Sequence, residues 1–418
     1  MNKLSSLAST LIPSEIIKLG NDLNERIRAG KQIYNFTIGD FDPSIFPIPE
    51  ALEQAIIEAY QQHKTNYPPA TGILALREAV SQYIQSQLNI EYHADQFLIS
   101  GGGRPLIYAA YRVICDEDEK IIYPVPSWNN NHYSHFVKGN HCIIDTTPEN
   151  NFMPKAEDII PHLQDAALVS LCSPLNPTGT VFKKEELAKI CEAILNENKR
   201  RGSDRKPIYL IYDQIYWTLL FNNEEHIHPV GLYPEMKDYT IYVDGISKAF
   251  CATGVRVGWA FGPSIVIDKM RAILSHVGAW SPMAEQVGTA QFLSKLPAVA
   301  QATSKIREAI HLRLQMLYAG FVQLREKGYP VDVLIPQGAM YLTVKLDLKG
   351  KKIDGKPLID NYEIINFLID HASLGIVPFS AFGAGQHSEW YRISVGTCHV
   401  ELIDDMFVKL ESALASLS

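Results

Sequence analysis

Apolar positions along this chain follow two rhythms, one near the 3.6-residue turn of a helix and one of short continuous runs. Near the start, Ile16, Ile17, Leu19 and Leu23 share one face of a stretch from Ser14 to Ala29 that Gly30 closes, which predicts a helix. Residues 49–62 predict a second amphipathic helix, opened by Pro49 and Glu50, and residues 73–87 a third. From Gln96 onward, apolar runs at 96–100, 120–123, 142–145, 167–172, 207–212 and 239–243 read as strands, with a further apolar run at 255–261. Helical patterns at 106–114 and 184–199 fall between them. Strand–helix alternation predicts a parallel sheet covered by helices, with ligands gathered past the carboxyl ends of the strands. Beyond Gly262 the rhythm changes to helices at 263–277 and 281–293 and a very long one at 299–327, of the kind that connects two domains. The tail alternates on a smaller scale: strands at 331–336, 339–348, 375–378 and 391–395, helices at 360–371 and from Val400. The expected fold class is α/β, with a large domain over residues 49–290 and a smaller α+β domain made of residues 1–48 and 291–418.

Several residues with chemistry to offer lie just past these strand ends. The loop after 239–243 carries Lys248 between Gly245 and Gly254, and Arg256 follows Lys248 by eight residues. Desolvation and nearby cations lower the pKa of such a lysine and free its amine for Schiff-base chemistry. An arginine close by suits a phosphate, whose oxygens its planar fork binds in pairs. Gly101-Gly102-Gly103-Arg104-Pro105 follows the 96–100 strand and opens a helix, so backbone amides can close on an anion at the helix N-terminus. Trp128 offers a flat face, although core packing is the commoner fate of a tryptophan. Asn176 stands between Pro174 and Pro177, which fix its direction. Asp213 ends a nearly all-apolar strand, either as a satisfied buried acid or as a carboxylate facing a cationic ring nitrogen. Arg392 lies inside an apolar strand, which is costly without a partner, whether an internal acid or a substrate carboxylate. Tyr67 sits in the stiff loop Tyr67-Pro68-Pro69-Ala70-Thr71-Gly72, and Gly39 in the extended run Phe36–Pro43. His226 and His228, beside acids, read as a solvated loop without a third metal ligand.

Composition narrows the function classes. The net charge of −8 in 418 residues argues against nucleic acid and membrane surfaces as partners. No apolar run approaches the roughly 18 residues of a membrane span, and the N-terminus lacks a signal-peptide core. The six cysteines are scattered singly without CxxC spacing, so reduced thiols in a cytoplasm are expected, with no metal site.

Five motifs in order, Ser173-Pro-Leu-Asn-Pro-Thr-Gly179, Tyr212-Asp-Gln-Ile-Tyr216, Ser247-Lys248-Ala-Phe, Thr253-Gly-Val-Arg256-Val-Gly and Tyr391-Arg392-Ile-Ser, resemble the class I/II aminotransferases. These are fold type I pyridoxal-phosphate enzymes, and the resemblance, closest to the aspartate aminotransferase branch, runs through nearly the whole chain. It implies a mostly parallel seven-stranded sheet in the large domain and a two-half-reaction transfer of an amino group from an L-amino acid to a 2-oxo acid. By resemblance Lys248 forms the Schiff base and shuttles the α-proton, Asp213 pairs with the pyridine nitrogen, and Asn176 and Tyr216 hold the 3′-oxygen. Trp128 stacks on the ring, and Gly102, Gly103, Arg104 and Arg256 belong to the phosphate site. Tyr67 reaches the phosphate of the neighbouring subunit in a homodimer with shared sites, and Arg392 clamps the α-carboxylate, assisted by the backbone of Gly39.

The sequence departs from the family pattern at Leu175, Gln214 and Gly245, the last replacing a serine that helps bind phosphate in some members. For the substrate side chain, residues 275–282 hold no arginine, Ile16 stands where a related subgroup has threonine, and Trp280 favours aromatic or larger apolar donors. A neutral or aromatic donor is therefore expected, with aspartate as the family default. A lyase or decarboxylase on the same scaffold is the alternative. A non-catalytic regulator lacks the basic domain it would need.

Overall fold

The computed structural model of the protein describes residues 4–13 and 15–418. Seven strands form the main sheet, in the spatial order Phe97–Ser100, Gly258–Phe261, Thr240–Gly245, Tyr209–Asp213, Ala166–Cys172, Lys120–Val125 and Asn140–Asp145. Side-chain alternation explains its two apolar faces. Ile99, Ile122, Val169, Leu210, Tyr212, Tyr242 and Trp259 join one buried cluster, while their neighbours Leu98, Ile121, Leu168, Ile211, Val243 and Ala260 join another. Both faces are thus covered, as continuous apolar runs require.

The sheet is mostly parallel, and Gly258–Phe261 is the strand that breaks the rule. It runs antiparallel to both Phe97–Ser100 and Thr240–Gly245. Parallel neighbours need a crossover of a dozen residues or more, usually helical. The Lys248 loop holds only the one-turn helix Ile246–Ala249, so the chain turns back on itself there.

The helices follow the predicted pattern with shifted ends. The first long one is Glu15–Arg28, and Ser14, where it was expected to begin, lies outside the described residues. The helix expected at 106–114 starts earlier, spanning Gly103–Ile114 with Gly102 as its cap. Two helices, Ser6–Thr10 and Asn130–Phe136, carry no apolar stripe and were not anticipated. Leu296–Glu326 forms the long helix, of 31 residues.

A second sheet, wholly antiparallel, is made of Val377–Pro378, Trp390–Ser394, Tyr341–Leu346 and Val331–Val333. Tyr34–Asn35 pairs in parallel with Leu374–Gly375 and stitches the N-terminal segment to the C-terminal part. A buried cluster joins Leu23, Tyr34 and Phe36 to Leu314, Phe321, Leu342 and Leu410. No helix among the described residues is long and apolar enough to cross a membrane.

Candidate active site

The carboxyl ends of the central strands open into a cavity of about 660 Å³. Four cations, Arg104, Lys248, Arg256 and Arg392, and two acids, Asp40 and Asp213, line it. None of the six forms a salt bridge among the described residues. A concave site with surplus positive charge attracts anions.

Lys248 projects from the turn Ile246–Ala249, capped by Gly245 at the end of its strand. Its Nζ donates to the carbonyl oxygen of Gly39 at 2.5 Å. Burial lowers its pKa to about 8; the Arg392 and Arg104 charges act the same way, while Asp40 and Cys251 oppose them. An amine in this range exchanges protons readily near neutral pH.

Asp213 ends the strand Tyr209–Asp213, and its Oδ1 accepts from the Ile215 amide at 3.1 Å. Burial raises its pKa to about 6, with the Ile215 bond opposing. A carboxylate enclosed with a single amide donor lacks the cation that would keep it ionised. Asp244, one strand over, has another fate. It points to the opposite face, where Trp217 Nε1 and the Gly245 amide donate to its two oxygens at 2.8 and 2.7 Å.

The glycine loop is shaped around Arg256. Gly102 has φ of 101°, and a Cβ there would lie 2.1 Å from Arg256 Nη2, so only glycine fits. Arg256 itself has φ of 63°, a left-handed conformation that costs an arginine on the order of 1 kcal/mol or more. Its Nη1 donates to the Thr253 carbonyl at 2.6 Å and its Nη2 to the Gly101 carbonyl at 2.7 Å. The guanidinium is thereby held at the N-terminus of the helix Gly103–Ile114, where first-turn amides lack intrahelical acceptors. Arg104 Cζ lies over the Trp128 ring, 5.1 Å from its centroid.

Arg392 is 1% exposed, with no acid beside it. Its Nη1 donates to Asn176 Oδ1 at 3.1 Å and its Nη2 to the Thr37 carbonyl at 2.6 Å, while Nε has no partner among the described residues. The rings of Tyr341 and Phe382 flank it at 4.7 and 4.8 Å. The internal salt bridge considered from the sequence is not there. Tyr216 meets Tyr341 hydroxyl to hydroxyl at 2.6 Å, and a Cβ on Gly39 would sit 3.1 Å from the same Tyr341 hydroxyl.

Of the residues singled out in the sequence, Gly39, Gly103, Arg104, Trp128, Asn176, Asp213, Tyr216, Lys248, Arg256 and Arg392 line one cavity, with Gly102 beneath Arg256. Tyr67 does not; it is 82% exposed, edge-on to Trp280 at 5.3 Å. Trp280 is likewise absent from the lining, whereas Ile16 and Ile17 form part of the mouth. The solvated-loop reading of His226 and His228 is corrected. His228 is buried, the two rings stack at 6.0 Å, and His226 Nε2 lies 3.3 Å from Gln214 Oε1. Burial depresses both, to about 3 and about 4, because the rings of Tyr212, Trp217 and Tyr242 pack against them. Three site residues escaped the sequence reading: Tyr341, Asp40 and Thr253. The last two pair through Thr253 Oγ1 and Asp40 Oδ1 at 2.5 Å.

A desolvated lysine facing a deep, acid-free arginine is the equipment of an enzyme that acts on amino or 2-oxo acids through an amine. The chain belongs to the aminotransferase class I and II family, whose model matches residues 31–408. It is 28% identical over 412 residues to an aspartate aminotransferase of Bacillus sp. (strain YM-2), covering 98% of both chains. It is 31% identical over 366 residues to an aspartate aminotransferase of Streptomyces avermitilis, covering 85% of this chain and 83% of that one. Among solved structures, the aspartate aminotransferase from Thermus thermophilus with maleate superposes with a TM-score of 0.87 at 25% identity, over 99% of this chain and all of that one. The protein is an aminotransferase of the aspartate aminotransferase type.

Proposed function

We propose that this aminotransferase works with pyridoxal phosphate bound between Asp213, Lys248 and Arg256, and that its donor is a dicarboxylic amino acid. The observation that carries the cofactor reading is Asp213, a half-buried carboxylate in the cavity with one amide donor and no salt-bridge partner among the described residues. A cationic pyridine nitrogen supplies what it lacks. The residues present fit the remaining parts. Arg256 and the start of the helix Gly103–Ile114 suit a phosphate, Trp128 a ring face, and Asn176 and Tyr216 a phenolic oxygen. Arg256 carries this load without a serine at Gly245. When bound, the cofactor supplies an electron sink for the charge left on the substrate α-carbon. The protein supplies the rest. Arg392 grips the α-carboxylate, with its orientation set by Asn176 and Thr37, and leaves Nε free to donate. Lys248, about half neutral near pH 8, accepts the α-proton at Nζ. The enclosed walls exclude water, which strengthens each charge contact.

Arg104 supports the dicarboxylic reading. It is a second cavity guanidinium without an acid partner, placed over Trp128 near the rim, while Arg392 lies deep. Two cations at different depths suit two carboxylates, and they supply the charge that residues 275–282 lack. Ile16, Ile17 and Ile107 favour a second reading, an aromatic or large apolar donor. Exposed Tyr67, edge-on to the half-buried Trp280, supports a homodimer in which Tyr67 completes a neighbouring site, and six cysteines without disulfides support a cytoplasmic setting.

Borohydride reduction followed by peptide mapping tests the cofactor, and an adduct on any lysine but Lys248 refutes it. Comparing kcat/KM for aspartate with phenylalanine, methionine and alanine tests the donor. A preference for aspartate of about a hundredfold, ~2.7 kcal/mol, is expected; a phenylalanine preference favours the second reading. Sedimentation at assay concentration tests the dimer, which a fully active monomer refutes.

A further inference from the structure

We propose that Asp40 is a positioning residue that clamps the N-terminal segment 37–40 onto the Lys248 loop and holds the protonated amine of Lys248 against the surrounding cations. The inference rests on Lys248 being the reactive amine and assigns a role to a carboxylate that neither anchors the cofactor nor binds substrate.

The geometry is a closed chain of contacts across distant sequence. The Gly39 carbonyl accepts from Lys248 Nζ at 2.5 Å. The next residue, Asp40, accepts from Thr253 Oγ1 at 2.5 Å and from the Phe41 amide at 2.8 Å through Oδ1. Thr253 in turn offers its carbonyl to Arg256 Nη1 at 2.6 Å. The segment itself cannot drift, since the Asp42 amide donates to the Gly396 carbonyl at 2.9 Å. A Cβ on Gly396 would lie 2.0 Å from the Asp40 carbonyl, so the two backbones are in contact.

Charge gives this clamp its chemical consequence. Lys248 shares its cavity with Arg104 on the Gly103–Ile114 helix, Arg392 on the Trp390–Ser394 strand and Arg256 on its own loop. Asp213 on the Tyr209–Asp213 strand is the other acid, and it is turned toward the place of a cationic ring nitrogen. Cys172, Cys251, Tyr216 and Tyr341 are the further titratable groups around Lys248. Asp40 attracts the charges of both Lys248 and Arg256. A nearby acid favours the ammonium form of an amine, by about one pKa unit where the two share a low-dielectric site. The fixed segment therefore presents an acceptor (Gly39) and a counter-charge (Asp40) to the Lys248 amine together.

The test is competitive labelling of Lys248 by acetic anhydride in the cofactor-free, full-length protein at graded pH, read by mass spectrometry. Asp40→Asn keeps the shape and deletes the charge. It is expected to label Lys248 about fivefold faster than the wild type near neutral pH, with the titration midpoint shifted down by about one unit. Asp40→Glu is expected to keep the wild-type midpoint. Asp40→Ser is a second charge-deleting variant, should the first fail to fold by circular dichroism. An unchanged midpoint in a folded charge-deleted variant, or an equal shift in Asp40→Glu, overturns the role of Asp40. Wild-type Lys248 labelling like a surface lysine, midpoint near 10, refutes the reading of Lys248 as the reactive amine instead.

Discussion

Asp213 ends one strand and Asp244 is next to last in its neighbour, but the two point to opposite faces of the sheet, and that single step of side-chain alternation gives two similar acids different work. Asp213 shares a face with Ile211 and Val243 and opens into the cavity. Asp244 shares a face with Tyr242 and is sealed against Trp217.

Replacing Asp213 by alanine should reduce turnover by about a hundred- to a thousandfold, the scale of losing one aimed electrostatic group. Cofactor retention should fall far less, because Arg256 and the glycine loop survive. Single-turnover rates with equilibrium dialysis of the cofactor separate the two, and a near-normal rate would make Asp213 structural.

Asp244 should make stability fall as pH rises. Burial raises its pKa from 3.8 to about 8, opposed by the Gly245 and Trp217 bonds. Between those values the unfolded chain has released a proton that the folded protein keeps, so rising pH favours unfolding, and below 3.8 the difference vanishes. Asp244→Asn should flatten the dependence of Tm on pH across this window. Parallel curves for the two proteins would count against it.

Arg104→Ala should lower kcat/KM for dicarboxylic donors selectively. A carboxylate that loses its partner costs roughly 1–3 kcal/mol, so the ratio of aspartate to alanine should fall about five- to a hundredfold. An equal loss for both donors would place Arg104 with the cofactor phosphate instead.

Arg392→Lys should impair the amino acid and the 2-oxo acid in parallel, because both carry the carboxylate that the planar fork grips. Losing a buried, hydrogen-bonded charge contact costs about 2–5 kcal/mol, roughly thirtyfold to several thousandfold in kcat/KM. Kinetics of the two separate half-reactions check it; a loss confined to one would contradict it.

The sequence by itself determined the α/β class, most strand positions and the residues that sit immediately past strand ends. Lys248, Asp213, Asn176, Gly102 and Arg256 were each legible as candidates because local signals mark them: a charge after an apolar run, glycines before a helix, prolines around an asparagine. Tertiary structure alone decided which of these signals meet, and it added residues without a local mark. Tyr341 sits in an apolar strand like any core tyrosine, and only its 2.6 Å contact with Tyr216, 125 residues away, gives it a role. Asp40 and Thr253 are 213 residues apart, and neither belongs to a periodic element. His226 and His228 looked solvated because acids surround them in sequence, yet packing against Gln214 and each other encloses them. Periodicity reports which face of an element is apolar; it carries no information about what faces it across the fold, and the pKa of Lys248 is set by those opposing groups.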